Sequence, residues 1–448
     1  MLNLLLAPWR TCSNAARHFM TWSLAARTAW AVAFLQFFMV LFTVVVLLTT
    51  GGPDVFEAWW TPTKAVALLL LMGVIPMLVY YSARLWFHHE TARWPDIDKA
   101  WKEALIELDR QGVDVRSTPL FFVLGGDGDT VEHNLFGKPP FPLDVRAAPA
   151  GSAPLHVYGG VEGIFVCLAT IGQTCRVNLQ DGSPEHPHAA LTAVERADAS
   201  DRLRSLCERI RNARQPVAPA NGILALVSTH SDDQTRLTPV IGAALGDDLI
   251  TITSTCGLRM PLTVVGTGIE TLAGFDTLLK RLPSETQTLV SGDIFPIGRT
   301  ASATELSTLA IAATGRLADE AGSLMLDPHS LAHSDGNRSM IGLMCRLRLH
   351  VAPLLQGIMQ RGLDSAAHHA GSPMLAGCYL LPTPKDLPAI NFTKDLFARV
   401  IEVQGDLEWT PKQLKRNRRS ARIARGLAVL NTLLLAAWIA VLWWRLSR

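Results

Sequence analysis

The sequence is short of the signatures on which common enzyme chemistry turns. It has no G-x-S-x-G turn to raise a nucleophilic serine and no H-E-x-x-H to hold a zinc ion, so no hydrolase centre is legible. It has no C-x-x-C pair, and its seven cysteines (Cys12, Cys167, Cys175, Cys207, Cys256, Cys345 and Cys378) are scattered and odd in number, which reads as free buried thiols in a reducing compartment. It lacks a charge imbalance: a formal net charge of +2 argues neither for nucleic acid nor for an acidic substrate. Nor is there an internal repeat or a long low-complexity stretch; Asp181 to Ala190, with its Pro and His residues, reads as an exposed loop. What the 448 residues do have is an apolar share of 49%, enough for one large or two ordinary domains with sizeable cores besides any membrane segments.

Three apolar runs carry no charge. Ala29 to Leu48 is rich in Val, Leu and Phe and matches the roughly 20 residues a helix needs to cross hydrocarbon. Ala65 to Ala83 is a second run, with a kink expected at Pro76. Gly426 to Trp444 is a third and ends in Trp443 and Trp444, which suits an interfacial anchor. The first run is too long for the core of a cleaved signal peptide, and no small-residue cleavage site follows it before the second.

Orientation follows from the basic residues, which resist translocation when they flank a span. Arg10, Arg17 and Arg27 precede the first run, whereas the connector from Thr50 to Thr63 carries Asp54 and Glu57 and no Lys or Arg. Lys412, Lys415, Arg416, Arg418, Arg419, Arg422 and Arg425 precede the third run with no acidic residue among them. The expected topology puts the N-terminus and everything from about Arg84 to Arg425 in the cytoplasm, and residues 445–448 outside. The basic run reads as a contact with lipid headgroups rather than with nucleic acid, because it abuts a span.

Between the second and third runs the pattern is α/β. Pro95 to Arg110 spaces Ile97, Trp101, Ala104, Leu105 and Leu108 as an amphipathic helix. Short buried strands are predicted at Leu120–Leu124, Ile164–Leu168, Gly222–Val227 and Pro261–Val265, with helices at Leu191–Arg211 and Phe275–Leu282. Strands alternating with helices predict a parallel sheet with its loops at one edge. From about Ser302 to Leu363 the pattern turns helical, with Thr304–Ala321 and Ser339–Leu363 as the long candidates.

The loops after those strands sit where a nucleotide-binding domain keeps its chemistry. The first strand runs into Gly125, Gly126, Asp127, Gly128, Asp129 and Thr130. A phosphate loop needs a longer turn and a lysine for the β and γ phosphates; here Asp129 stands in the lysine's place and would repel them. The strand Ile164–Leu168 ends in Ala169, Thr170, Ile171 and Gly172, where a GTPase-like domain carries Asp-x-x-Gly. Alanine can neither hold magnesium through a water nor sense a γ phosphate. The strand Pro261–Val265 leads to Thr267, Gly268, Ile269 and Glu270, where a guanine-reading loop has Thr-Lys-x-Asp; only the threonine and an acidic residue remain. All three loops read as degenerate, and no cofactor is expected. His88 and His89 beside Glu90, and His186 and His188 in the exposed loop, read as headgroup-level and solvent residues, not as metal ligands.

Taken in order, these positions resemble the amino-terminal half of the IcmF/TssM family, inner-membrane components of the bacterial type VI secretion system. Arg211-Asn212-Ala213-Arg214-Gln215-Pro216 followed by Asn221-Gly222-Ile223-Leu224 is similar to the family's R-x-P-I-N-G-V entry into a strand, with an insertion between Pro and Asn. Pro261 to Val265 through Leu272-Ala273-Gly274-Phe275 resembles its P-V-Y-V-V-x-T-K-x-D-x-x-x-G-F block, and Asn391-Phe392-Thr393-Lys394-Asp395-Leu396-Phe397 with Val400-Ile401-Glu402 its F-x-x-D-L-F-x-x-V-I segment. The resemblance implies a membrane protein with three transmembrane helices and a cytoplasmic, degenerate P-loop GTPase-like α/β domain followed by a helical subdomain. The expected boundaries are a cytoplasmic segment 1–28, a two-helix hairpin 29–83, the α/β domain 84–300, a helical extension 301–425, a third span 426–444 and a tail 445–448. The function it implies is that of a non-catalytic scaffold in an oligomeric inner-membrane complex, meeting a TssL-like subunit, cytoplasmic secretion components and membrane lipid. A nucleotide-dependent switch, or a truncated regulatory paralogue, is the alternative. Typical members continue into a large periplasmic region, which this sequence is expected to lack.

Overall fold

Charge-free apolar runs lie side by side in the middle of the main sheet. The computed structural model describes residues 24–50, 61–91, 93–126, 129–137, 141–181, 190–229, 234–282, 291–326, 334–367, 373–382, 392–419 and 422. The first helices among the described residues are α1 (Leu24–Thr50) and α2 (Pro62–Thr91). After α3 (Pro95–Arg110) come β1 (Leu120–Leu124), α4 (Asp129–Gly137), β2 (Val145–Ala148), β3 (Leu155–Gly159), β4 (Ile164–Leu168), α5 (Gln173–Asp181) and α6 (Ala193–Arg214). Next are β5 (Gly222–Ser228), α7 (Gln234–Cys256), β6 (Leu258–Arg259), β7 (Pro261–Thr267), α8 (Phe275–Arg281) and β8 (Ser291–Ile294). The rest is α9 (Ala303–Leu326), α10 (Ser334–Arg346), a π-helical turn (Leu347–Val351) running into α11 (Ala352–Ala367), then β9 (Met374–Leu380), α12 (Phe392–Glu402), β10 (Glu408–Trp409) and a helix over 411–419.

Eight strands form one sheet in the order β2-β3-β4-β1-β5-β7-β9-β8. The middle five, β4 to β9, are parallel; β3 and β2 continue one side antiparallel, and β8 closes the other side antiparallel to β9. Every residue of β1, β4, β7 and β9 is buried, as expected for parallel strands covered on both faces. On one face Phe121 of β1, Phe165 of β4 and Leu224 of β5 meet Leu135 and Phe136 of α4 and Leu396 and Phe397 of α12 in a single core. Helices α5, α6, α9 and α11 are linked through packing contacts in a second group, in which α7 packs against α5, α6 and α11.

Local chemistry explains where the helices begin. Thr192 caps α6: its side chain accepts from the Glu195 amide while Glu195 reaches back to the Thr192 amide. Ser302 and Glu305 make the same reciprocal pair at the start of α9. Amphipathic α3 buries Ile97, Ala100, Trp101, Ala104 and Leu108, and its acidic first turn meets α6 through the pairs Asp96–Arg202 and Asp98–Arg209.

The chain divides into two compact units, one containing α1 and α2 and the other running from Asp96 to Lys415. In the first, α1 and α2 pack on each other, and Trp30, Phe34, Leu35, Phe42, Leu69 and Leu70 are among the exposed apolar side chains. Among the described residues one helix is long and apolar enough to cross a membrane, over Thr28–Val46; α2 supplies the shorter apolar stretch Val66–Ser82. The third expected span, 426–444, and most of the outer connector lie outside the described residues.

In the second unit the expected break at 300/301 does not separate compact bodies. Strand β9, from the stretch read as helical extension, inserts between β7 and β8, so the sheet is not complete before residue 380. Helix α7 and strands β2, β3, β6, β8, β9 and β10 go beyond the predicted elements. The four predicted strands are present, with β5 and β7 running one and two residues further.

Candidate functional site

The parallel strands put the loops after β1, β4 and β7 at one edge of the sheet. Gly125 and Gly126 follow β1 directly and are buried; Asp129 and Thr130 are the first two residues of α4; Gly128 lies outside the described residues. Ala169 and Gly172 lie between β4 and α5. Thr267 ends β7, and Glu270 sits in a 3-10 turn over Ile269–Thr271. Strand β5 separates β7 from β1, so the third loop starts about 10 Å from the first at the usual strand spacing.

The first two loops are brought together, and their polar groups are bound to one another. The Gly125 amide donates to the Cys175 sulfur at 3.2 Å, and that thiol donates in turn to the Leu168 carbonyl at 2.8 Å. Burial pushes the Cys175 thiol well up, which keeps it protonated and able to make both bonds. Asn178 Nδ2 donates to the Gly125 carbonyl at 2.5 Å. Gly125 has a φ of 81°, and a Cβ there would run into the Leu226 carbonyl and stand 3.3 Å from the Thr174 methyl. The backbone of the β1 turn is thus covered by the start of α5.

Two buried carboxyl groups stand at these loops, Glu132 at the turn after β1 and Asp248 at the turn after β4. Glu132 of α4 lies against Gly126, where a Cβ would stand 3.5 Å from its Oε1, and its Oε2 meets Nδ1 of the buried His156 at 3.0 Å. The other His156 nitrogen donates to the Gly151 carbonyl at 2.8 Å. Asp248 of α7 accepts from the amides of Gln173 and Thr174, both at 2.8 Å. Burial pushes its carboxyl up to about 6 against the opposing pull of those hydrogen bonds, so it is ionised at neutral pH. Asp248 already occupies the first amides of α5, which a phosphate would otherwise use.

The remaining loop residues are engaged with backbone. The amides of Ala169 and Thr170 both point to the Pro154 carbonyl, at 3.2 and 3.3 Å. The Thr267 hydroxyl donates to the Val227 carbonyl at 3.4 Å, and its own carbonyl accepts from the Thr229 amide and hydroxyl at 2.9 and 2.8 Å. Sequence reasoning missed Glu132, His156, Cys175, Asn178 and Asp248. The signal for Asp248 is there: Leu237, Ile241, Ala244, Leu245, Asp248 and Ile252 share the apolar stripe of α7, and an aspartate on such a stripe demands a buried partner.

The motifs that carried the family resemblance are structural pins. Arg214 is buried and donates to the carbonyls of Ala218 at 2.8 Å, Thr118 at 2.6 Å and Val115, and to Asn221 Oδ1 at 3.3 Å. Burial lowers its pKa to about 10, and it stays protonated at neutral pH. Asn221 accepts from the Leu120 amide at 3.0 Å and donates to the Gln404 carbonyl at 3.2 Å. Phe275 is buried, and Phe397 sits 5.2 to 5.6 Å from Phe165, Phe141 and Phe136.

A family model described as the IcmF-related N-terminal domain matches residues 196–390. Over those residues the chain is similar to an IcmF-related N-terminal domain. The match runs from within α6 past β9 and includes Arg214, Asn221, Thr267, Glu270 and Phe275, whereas the β1 turn precedes it. A domain of this family points to an IcmF-type secretion component and to the inner membrane, in agreement with the resemblance to the IcmF/TssM family. No curated protein and no solved structure matches the chain.

Proposed function

We propose that this IcmF-related chain is a non-catalytic inner-membrane scaffold subunit of a type VI or related secretion complex, whose α/β unit is a GTPase-like domain that binds no nucleotide. The observation that carries the reading is the closed β1 turn. The Gly125 amide, the first donor a phosphate would use, is bonded to Cys175, and the first amides of α5 are bonded to Asp248. The sheet order supports the GTPase-like part, with a parallel series β4-β1-β5-β7-β9 and an antiparallel β3 beside β4.

The experiment uses the full chain in detergent micelles, titrated with fluorescent ATP and GTP analogues in the presence of magnesium. No binding up to millimolar nucleotide is expected. Micromolar, magnesium-dependent binding would sink the reading and reinstate the nucleotide switch.

The proposal has three spans, over 29–48, 65–83 and 426–444, with the α/β unit in the cytoplasm. The helix over 411–419 supports it. Pro411 follows the capping residue Thr410, whose hydroxyl accepts from the Gln413 amide at 3.4 Å. Lys412, Lys415, Arg416, Arg418 and Arg419 are all exposed and, among the described residues, none of them meets a carboxylate. Such a helix suits anionic lipid headgroups. A TssL-like subunit and cytoplasmic secretion components are the protein partners the resemblance implies, and failure of all of them to co-isolate with the chain from solubilised membranes would count against the scaffold role.

A further inference from the structure

The turn from β4 into α5 is held by a side chain from a distant part of the sequence. Asp248 is wholly buried, and its carboxylate accepts three hydrogen bonds from the start of α5: Gln173 N to Oδ1 at 2.8 Å, Thr174 N to Oδ2 at 2.8 Å, and Thr174 Oγ1 to Oδ2 at 2.7 Å. The two amides belong to the first turn of a helix, whose donors have no partner within the helix and carry its partial positive charge. The backbone is shaped around this carboxylate as well. Gly172 has a φ of 94°, and a Cβ on it would stand 3.0 Å from Asp248 Oδ2. A residue with a side chain would have both the wrong backbone and the wrong neighbour.

The hold passes through α5 to the next loop. Thr174, which meets Asp248 through its amide and hydroxyl, sets its methyl where a Gly125 Cβ would be. One residue on, Cys175 takes the Gly125 amide, and one turn on, Asn178 takes the Gly125 carbonyl. The contact at the N-terminus of α5 and the cover over the β1 turn therefore share the same stretch of helix.

We propose that Asp248 is a built-in anion: it takes at the N-terminus of α5 the place that a phosphate or carboxylate from outside would take, and so latches α5 over the Gly125 turn. The inference deepens the non-nucleotide reading of the domain, and the two fail separately. Nucleotide binding by the wild-type chain sinks that reading, whereas the test of Asp248 uses no nucleotide.

The test is hydrogen exchange on the full chain in detergent micelles, comparing wild type with Asp248→Ala, Asp248→Asn and the neighbouring control Asp247→Ala. In Asp248→Ala the amides over 120–126 and 170–178 exchange about tenfold faster than in wild type, as the loss of a charge-assisted hydrogen bond implies, while β7 and β9 keep their protection. Formate at about 0.1 M restores part of that protection in Asp248→Ala, because a free carboxylate can enter the vacated position; chloride does not, and formate leaves wild type unchanged. Asp247→Ala behaves as wild type. Should Asp248→Ala fail to fold, Asp248→Asn gives the same reading, since it keeps the volume and one acceptor but not the charge. Unchanged exchange over 120–126 in whichever of the two variants folds, or equal effects of formate and chloride, overturns the proposal.

Discussion

A single buried aspartate contributes more stability in acid than at neutral pH, which is the reverse of the usual carboxylate. Burial raises Asp248 from 3.8 in the unfolded chain to about 6 in the fold, so the folded chain binds this proton more tightly. Its stabilising contribution is fully present below about pH 4 and is lost as the pH rises through about 6, a change of roughly 3 kcal/mol. Unfolding midpoints of wild type and Asp248→Asn between pH 4 and 7 check this: the difference between them must shift across that window and stay flat above it. Gly125 makes a prediction of a different kind. Its φ of 81° and the Leu226 carbonyl leave no room for a methyl, so Gly125→Ala should cost more than about 2 kcal/mol, seen as a lowered melting temperature.

Among elements, α7 and α11 pack closely on each other, and α12 sets Phe397 into the aromatic core on one face of the sheet. A Cβ on Gly242 or Gly246 of α7 would stand 2.8 Å from the Arg361 Cβ or 2.6 Å from the Ser365 Cβ of α11, so the two helices meet along a seam of missing side chains. Gly246→Val should separate them and lower the melting temperature, with Asp248 displaced in turn. Phe397→Ala removes a ring packed against Phe136, Phe141 and Phe165 and should cost about 3–5 kcal/mol in chemical unfolding. The elements legible in the sequence are those with a plain period: the uninterrupted apolar runs of β1, β4, β5 and β7 and the amphipathic repeat of α3. Strand β9 was hidden because Gly377 and Cys378 dilute its apolar signal and it follows a long helical stretch. Helix α7 was hidden by Pro239 and by a threonine-rich second half over Thr251–Thr255. The degenerate loops could be read at Asp129 and Ala169 because single residues decide phosphate chemistry. The closed turn could not, since Cys175 and Asn178 bind Gly125 from 50 and 53 residues away, and Asp248 binds the start of α5 from 74 and 75 residues away.

At the scale of the whole molecule the proposed topology has a direct chemical readout. Cys345 is exposed, whereas Cys167, Cys175, Cys207, Cys256 and Cys378 are buried. In a Cys12→Ser background, a membrane-impermeant maleimide should leave the chain unlabelled in spheroplasts and label Cys345 once the membrane is opened. Labelling in intact spheroplasts would place the α/β unit on the other side. The strand order also sets a schedule during synthesis. Strand β8 ends at Ile294 and pairs only with β9, which begins at Met374. At the usual translation rates the ribosome needs about 4 to 16 s to make the intervening stretch. Until then β7 is a bare edge and β8 is without a neighbour, while the apolar α1 and α2 have already emerged. Newly made chains are therefore stickiest late, when most of the domain already exists, and a holdase acting in that interval should raise the yield more than one that meets the N-terminus.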